Sequence, residues 1–236
     1  MNLKGKTILI TGAAGGLGGA LAMQCAREGA ELILLDKNRR ALSGLSDRMT
    51  EEGLPEPGLY PLDLAAAGIE EFDGLVDVIQ SEFGGLYALI HCALDFDGLQ
   101  PLDQIEPQKW LQSIQVNLNA PWLLSCACLP MLKQAAASRL FFLVDNPERV
   151  ADAYWGAYGV AKVALTGLVK QFDATLSNTS VLVRGIDPGA MRTAFRAKVY
   201  HAENPMEQPD PAIAAGKIVE MLSEDHSVSD LITRLS

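Results

Sequence analysis

Positive charge is in short supply in this chain. Its formal charge is −10 over 236 residues, and no local run of Lys or Arg offsets it. A surface for nucleic acid or for anionic lipid is therefore not expected. Histidine is rare too: His91, His201 and His226 are scattered, with no ligand-like spacing to the four cysteines. Cys25, Cys92, Cys126 and Cys128 form no CxxC pair and lie in apolar segments, so ordinary buried thiols of a reducing compartment are expected, and no metal site. No segment approaches the roughly 18 apolar residues needed to cross a bilayer. The opening residues "MNLKGKTILITG" show neither a long apolar segment nor a small-residue cleavage site, which leads to the expectation of a cytoplasmic protein. Linkers and internal repeats are also missing, so residues 1–236 are expected to form a single domain.

What is present is a β–α rhythm. Apolar residues make up 49% of the chain and charged residues 20%, an ordinary globular balance. Short runs rich in Ile, Leu and Val occur at 6–11, 31–36, 58–63, 86–92, 139–145 and 180–187, with a weaker one at 229–235. Unbroken apolar runs suit strands covered on both faces, as in a parallel sheet. Segments 16–29, 38–52, 67–83, 107–135, 152–177 and 211–223 are long enough for crossover helices. The fold class expected is α/β, a doubly wound parallel sheet of about seven strands with helices on both faces. Residues 190–210 read as irregular and polar, a candidate lid.

The first strand runs into "TGAAGGLGG" (11–19) and then a helix. Gly12, Gly16 and Gly18 allow a sharp turn and close approach to a pyrophosphate, and the helix that follows offers free N–H groups to it. Without a Gly-Lys-Ser/Thr, this is not a nucleoside triphosphate loop. Asp36 ends the second strand, where a carboxylate accepts ribose hydroxyls and repels a 2′-phosphate; a helix N-cap is the bland alternative. NAD is thus the preferred cofactor, while Lys37, Arg39 and Arg40 keep NADP open.

Further along, "LFFLVDNPERVADAYWGAYGVAK" (140–162) starts as a buried strand and ends with Tyr158 and Lys162 one helical turn apart. With "TGAAGGLG" at 11–18, Asp63-Leu64, Asn117 in "VNLNAP" and "PGAMRT" at 188–193, the chain resembles the short-chain dehydrogenase/reductase family over nearly its whole length. Its "AYWGAYGVAK" and "RTAFRA" stretches are similar to a bacterial subgroup of uncharacterised oxidoreductases.

The resemblance implies a Rossmann-type fold and an oxidoreductase that moves hydride between a nicotinamide cofactor and a small alcohol or carbonyl. It implies cofactor contacts at Gly12, Ala14, Gly15, Gly16, Leu17, Gly18, Asp36, Asp63, Leu64, Ala93, Pro188, Gly189 and Thr193. It makes Tyr158 the general acid/base and has Lys162 bind the nicotinamide ribose. Asn117 would help hold a water linked to Lys162. A homodimer or homotetramer is implied as well.

Two positions depart from the family pattern. Leu94 adds bulk after the fourth strand, in the sequence His91-Cys92-Ala93-Leu94. Asp145 stands where the family has a Ser. A hydroxyl both donates and accepts, whereas an ionised carboxylate only accepts and opposes phenolate formation at Tyr158. Asn146 is a substitute donor only if the strand ends or bulges there. Asp145 therefore joins Tyr158, Lys162 and Asn117 as a candidate catalytic residue. It also opens an alternative reading, a catalytically impaired dinucleotide-binding regulator.

Overall fold

In β1 (Thr7–Thr11) the side chains alternate between two cores: Ile8 and Ile10 belong to one, Leu9 to the other. The next strand, β2 (Glu31–Asp36), repeats this, with Leu32 and Leu34 on the first side and Ile33 and Leu35 on the second. A strand buried on both faces must be apolar throughout, which is why these runs carry no polar alternation. Each fully buried side chain of this kind contributes about 1.5–3 kcal/mol.

The computed structural model describes residues 2–223 and 230–235. The remaining strands are β3 (Gly58–Pro61), β4 (Ala88–His91), β5 (Ser138–Leu143), β6 (Val181–Asp187) and β7 (Ile232–Arg234). Among the described residues they form one seven-stranded sheet in the order β3-β2-β1-β4-β5-β6-β7, with every pairing parallel. Helices α1 (Gly16–Arg27), α2 (Arg39–Glu51) and α9 (Pro211–Met221) pack on one face through Leu21, Leu42 and Ala215. Helices α3 (Ile69–Phe83), α5 (Ala120–Gln134) and α7 (Gly156–Leu176) cover the other through Phe72, Leu124 and Leu165. This is the Rossmann-type α/β architecture expected from the sequence.

Three segments differ from expectation. The helical stretch at 107–135 is α4 (Pro107–Ile114) and α5 joined by a π-helical turn, Gln115–Asn119. The segment 152–177 begins later, with the short α6 (Pro147–Val150) before it. The stretch 190–210 is not irregular throughout: Thr193 caps α8 (Ala194–Val199), accepting from the Arg196 N–H at 3.2 Å, and a 3₁₀ turn spans Pro205–Glu207. His226 and the first residue of the 229–235 run lie outside the described residues. Among the described residues no helix is long and apolar enough to cross a membrane, and no group of three or more His, Cys, Asp or Glu side chains is placed to hold a metal. The thiols are less uniform than expected: Cys25 and Cys128 are buried, but Cys126 is exposed and Cys92 is half-buried.

Candidate active site

The chain order of the sheet reverses between β1 and β4, and a cleft of about 340 Å³ opens there at the carboxyl ends of the strands. Ligands of open α/β sheets bind at such a switch point. Gly12, Gly15, Gly16, Leu17 and Gly18 line one end, with Asp36, Asp63 and Leu64 beside them; Asp145, Tyr158 and Lys162 line the other.

The glycines at the first end are required by space. Gly12 has φ +65°, and a Cβ on it would stand 2.6 Å from the Ala93 Cα. At Gly18 a Cβ would meet the Gly12 carbonyl oxygen at 2.2 Å. The start of α1 has no side-chain cap, so its first N–H groups remain available to an anion. Thr193 faces the loop from across the cleft, since a Cβ on Gly16 would come within 2.9 Å of its methyl. Pro188, Gly189 and Ala93 complete the lining; Gly189 follows β6 with its N–H donating to Asp187 at 3.0 Å. The uncapped, glycine-rich cradle leaves room for a dinucleotide's pyrophosphate.

Asp36 does not cap α2; Asn38 does, accepting from the Ala41 N–H at 3.1 Å. The Asp36 carboxylate instead accepts from the backbone N–H of Ala14 at 3.1 Å and of Asn38 at 2.9 Å, and it lines the cleft. Ala14 thus enters the site through its backbone rather than as a lining residue. Asp63 accepts from the Ala65 N–H at 3.0 Å, while Gly68 is the N-cap of α3. The Thr11 hydroxyl, which sequence reasoning did not single out, holds the turn after β4 by accepting from the N–H groups of Cys92 and Ala93, each at 3.2 Å.

At the second end, Tyr158 is buried and its hydroxyl donates to Asp145 Oδ2 at 2.8 Å. Burial raises its pKa well above the ordinary tyrosine value, and the Asp145 charge and hydrogen bond raise it further, against a smaller lowering by Arg149. Lys162 lies 5.7 Å from the centre of the Tyr158 ring and donates to the Leu143 carbonyl at 2.7 Å. Burial lowers its pKa to about 8, partly resisted by Asp145. His91 is buried in β4, stacked on Phe142 and hydrogen-bonded to Ser125 at 2.8 Å; burial, with the Lys162 charge, pushes its pKa down to about 3. It is a neutral core residue.

Asn117 sits in the π-helical turn, outside the cleft lining. Its amide donates to the Asp95 carbonyl at 2.7 Å and to Ser113, and its oxygen accepts from the Asp95 N–H at 3.2 Å. The side chain braces the segment after β4, and a direct reach from it into the cleft is not part of this arrangement. Asn146 lies past the end of β5 and caps α6 with its amide oxygen, accepting from the Glu148 N–H at 3.1 Å; it is not among the residues that line the cleft. Leu94 lines the cleft and is 42% exposed.

Arg149 was not anticipated, although a carboxylate followed by Arg at i+4 was the available signal. It pairs with Asp145 Oδ1, donates to the Tyr200 hydroxyl at 3.1 Å and lies 5.2 Å over the Trp155 ring. Above Tyr158, Phe96 and Phe195 pack at 5.4 and 5.2 Å between ring centres, so α8 closes over the site. Met191, Phe195 and Tyr200 form a wall of the cleft.

Comparison with known proteins agrees with this geometry. The short chain dehydrogenase family profile matches residues 6–204. The uncharacterized oxidoreductase YciK of Escherichia coli K12 is 34% identical over 210 residues, covering 89% of this chain and 83% of its own. A short chain dehydrogenase of Shigella flexneri 2a, solved in complex with NADP, superposes with a TM-score of 0.93 at 31% identity, over 98% of this chain and 97% of that one. One from E. coli CFT073, solved with NADPH, gives 0.90 at 32% identity, over 94% and 92%. With its glycine cradle and its buried Tyr158 and Lys162 on one cleft, the chain belongs to the short-chain dehydrogenase family of oxidoreductases.

Proposed function

We propose that this oxidoreductase acts on a small alcohol or carbonyl compound, with Tyr158 as general acid/base and Lys162 as its electrostatic partner and ribose ligand. The observation that carries the reading is the convergence of the uncapped α1 cradle, Tyr158 and Lys162 on a single cleft. Bound there, the nicotinamide dinucleotide supplies or takes up the hydride. Burial and Asp145 keep Tyr158 protonated at neutral pH, the form that can donate to a carbonyl oxygen, and make phenolate, the form that alcohol oxidation needs, harder to reach. Lys162, near 8, is mostly protonated at pH 7 and opposes the negative charge left on the tyrosine. The test is Tyr158→Phe, which should abolish turnover and leave dinucleotide affinity nearly intact. Retention of most of the rate would assign the acid to another group.

NADP(H) takes precedence as the cofactor, against the preference for NAD expected from Asp36. The two solved relatives above carry NADP and NADPH. Asp36 is already bonded to two backbone N–H groups, which temper its charge, and Lys37 lines the cleft beside it. Fluorescence titration with NADH and NADPH decides; tighter binding of NADH restores the Asp36 argument. Self-association is part of the same reading, since Trp122 on α5 and Val160 and Val163 on α7 are exposed. Sedimentation of the full chain tests it, a monomer counting against it.

One observation favours a second reading, the impaired dinucleotide-binding regulator: the Tyr158 hydroxyl is occupied by Asp145. Tight dinucleotide binding with no oxidation or reduction across a panel of alcohols and carbonyls would select it.

A further inference from the structure

We propose that Arg149 is the residue that binds the substrate oxygen, and that the substrate is a carbonyl compound with an apolar body whose oxygen sits between the Arg149 guanidinium and the Tyr158 hydroxyl. The inference rests on the oxidoreductase reading and names the substrate class of that site.

Carbonyl reduction needs donors aimed at an oxygen that gains negative charge. The chain lacks the Ser hydroxyl at this place, and Asp145 as a carboxylate only accepts. Arg149 changes that balance. It pairs with one oxygen of the Asp145 carboxylate while Tyr158 donates to the other, so guanidinium and phenol stand side by side on a single group. The pair cancels the charge that would repel a developing oxyanion, and it holds the guanidinium in place before any ligand arrives.

The arginine still has donors to give. Of its five N–H bonds, one goes to Asp145 and one to the Tyr200 hydroxyl at 3.1 Å. Its side chain is one-third exposed and lines the cleft. The Trp155 ring lies beneath it, its centre 5.2 Å from the guanidinium carbon. Around this polar point the cleft wall is Leu94, Met191 and Phe195, suited to an aldehyde or ketone on an apolar or aromatic frame.

The step balances without further reagents. The carbonyl carbon accepts a hydride from the reduced nicotinamide, and the C=O π pair moves to oxygen, where Arg149 donates. The Tyr158 hydroxyl leaves its hydrogen bond to Asp145 Oδ2, turns to that oxygen and transfers its proton to it, and the phenolate regains a proton from solvent. The alcohol leaves.

A purely structural role, with Arg149 latching α8 through Tyr200, is separable by experiment. Acetophenone carrying ¹³C at its carbonyl is bound to the full chain without cofactor, and the isotope-edited infrared band is compared across variants. The C=O stretch should fall on binding to the native chain, fall less with Arg149→Gln, which keeps a neutral donor, and lose this contribution with Arg149→Met. In NADPH-driven reduction of 4-nitrobenzaldehyde, kcat should drop about 100-fold in Arg149→Met, with a smaller change in KM and unchanged NADPH binding. Identical bands and rates for Gln, Met and native chains would overturn the proposal, as would failure of the native chain to bind either carbonyl. If Arg149→Met does not fold, the Gln-to-native comparison decides alone. Absence of dinucleotide binding would instead sink the oxidoreductase reading, while the infrared result, obtained without cofactor, still judges Arg149.

Discussion

Replacing Lys162 by Met should stabilise the protein at neutral pH while disabling it, and the pH dependence of the difference is the diagnostic. The Lys162 side chain is almost fully buried, and its pKa falls from the ordinary 10.5 to about 8 because burial disfavours the charge. Below pH 8 both folded and unfolded chains carry the proton, so the whole cost of burying the ammonium is present. Between pH 8 and 10.5 the folded chain has released a proton that the unfolded chain still binds, so stability rises with pH at about 1.4 kcal/mol per unit. The cost relieved over that window is on the order of 3 kcal/mol. Met fills similar space without a charge, but it leaves the Leu143 carbonyl, now bonded at 2.7 Å, without its donor, a loss of about 1–2 kcal/mol. A net gain of about 1–2 kcal/mol at pH 7 remains, a few degrees in Tm for a domain of this size. Thermal unfolding of both chains from pH 7 to 9.5 measures it: the advantage of Lys162→Met should shrink steadily above pH 8. A difference independent of pH would refute the assignment of a strained, buried ammonium.

Other substitutions probe the rest of the site. Gly18→Ala puts a Cβ 2.2 Å from the Gly12 carbonyl oxygen, so NADPH affinity should fall at least tenfold, about 1.4 kcal/mol; unchanged fluorescence titration would mean that the loop does not hold the pyrophosphate. Asp145→Ser removes the carboxylate that, after burial itself, most raises the Tyr158 pKa. The rising limb of alcohol oxidation, which needs phenolate, should therefore move to lower pH, and an unmoved limb would separate Asp145 from the chemistry. The same change strips Arg149, one-third exposed, of its partner, and chemical denaturation should register a loss of about 2 kcal/mol. Asp36→Asn should shift the NADPH-to-NADH affinity ratio upward about tenfold if the carboxylate faces the ribose; an unchanged ratio removes it from cofactor choice.

Sequence alone determined the sheet and one wall of the site. Short apolar runs without alternation, spaced between longer segments of helical period, suit strands buried on two faces, so β1, β2, β4, β5 and β6 were legible to within a few residues. The glycine cradle was legible because its requirement is local: the turn from Thr11 into the start of α1 leaves no room for side chains at Gly12 and Gly18. The i, i+4 spacing of Tyr158 and Lys162 places them on one helical face wherever α7 packs.

What only the tertiary structure decided is where distant side chains meet. Asp145 was visible as a departure, but its meaning depended on Arg149 beyond the strand end and on Tyr200 at the C-cap of α8, which lies some fifty residues along the chain. The amide of Asn117 turned out to be committed to Asp95 and Ser113, a choice made by the π-helical turn and by the segment after β4. Asp36 and Asn38 divided the roles of cleft-lining carboxylate and helix cap, two residues apart, according to where β2 stops and the Ala14 N–H arrives. Periodicity reports the face a residue occupies on its own element; hydrogen-bond partners and burial are set by what the other elements bring to that face, and so are the pKa values of Tyr158 and Lys162.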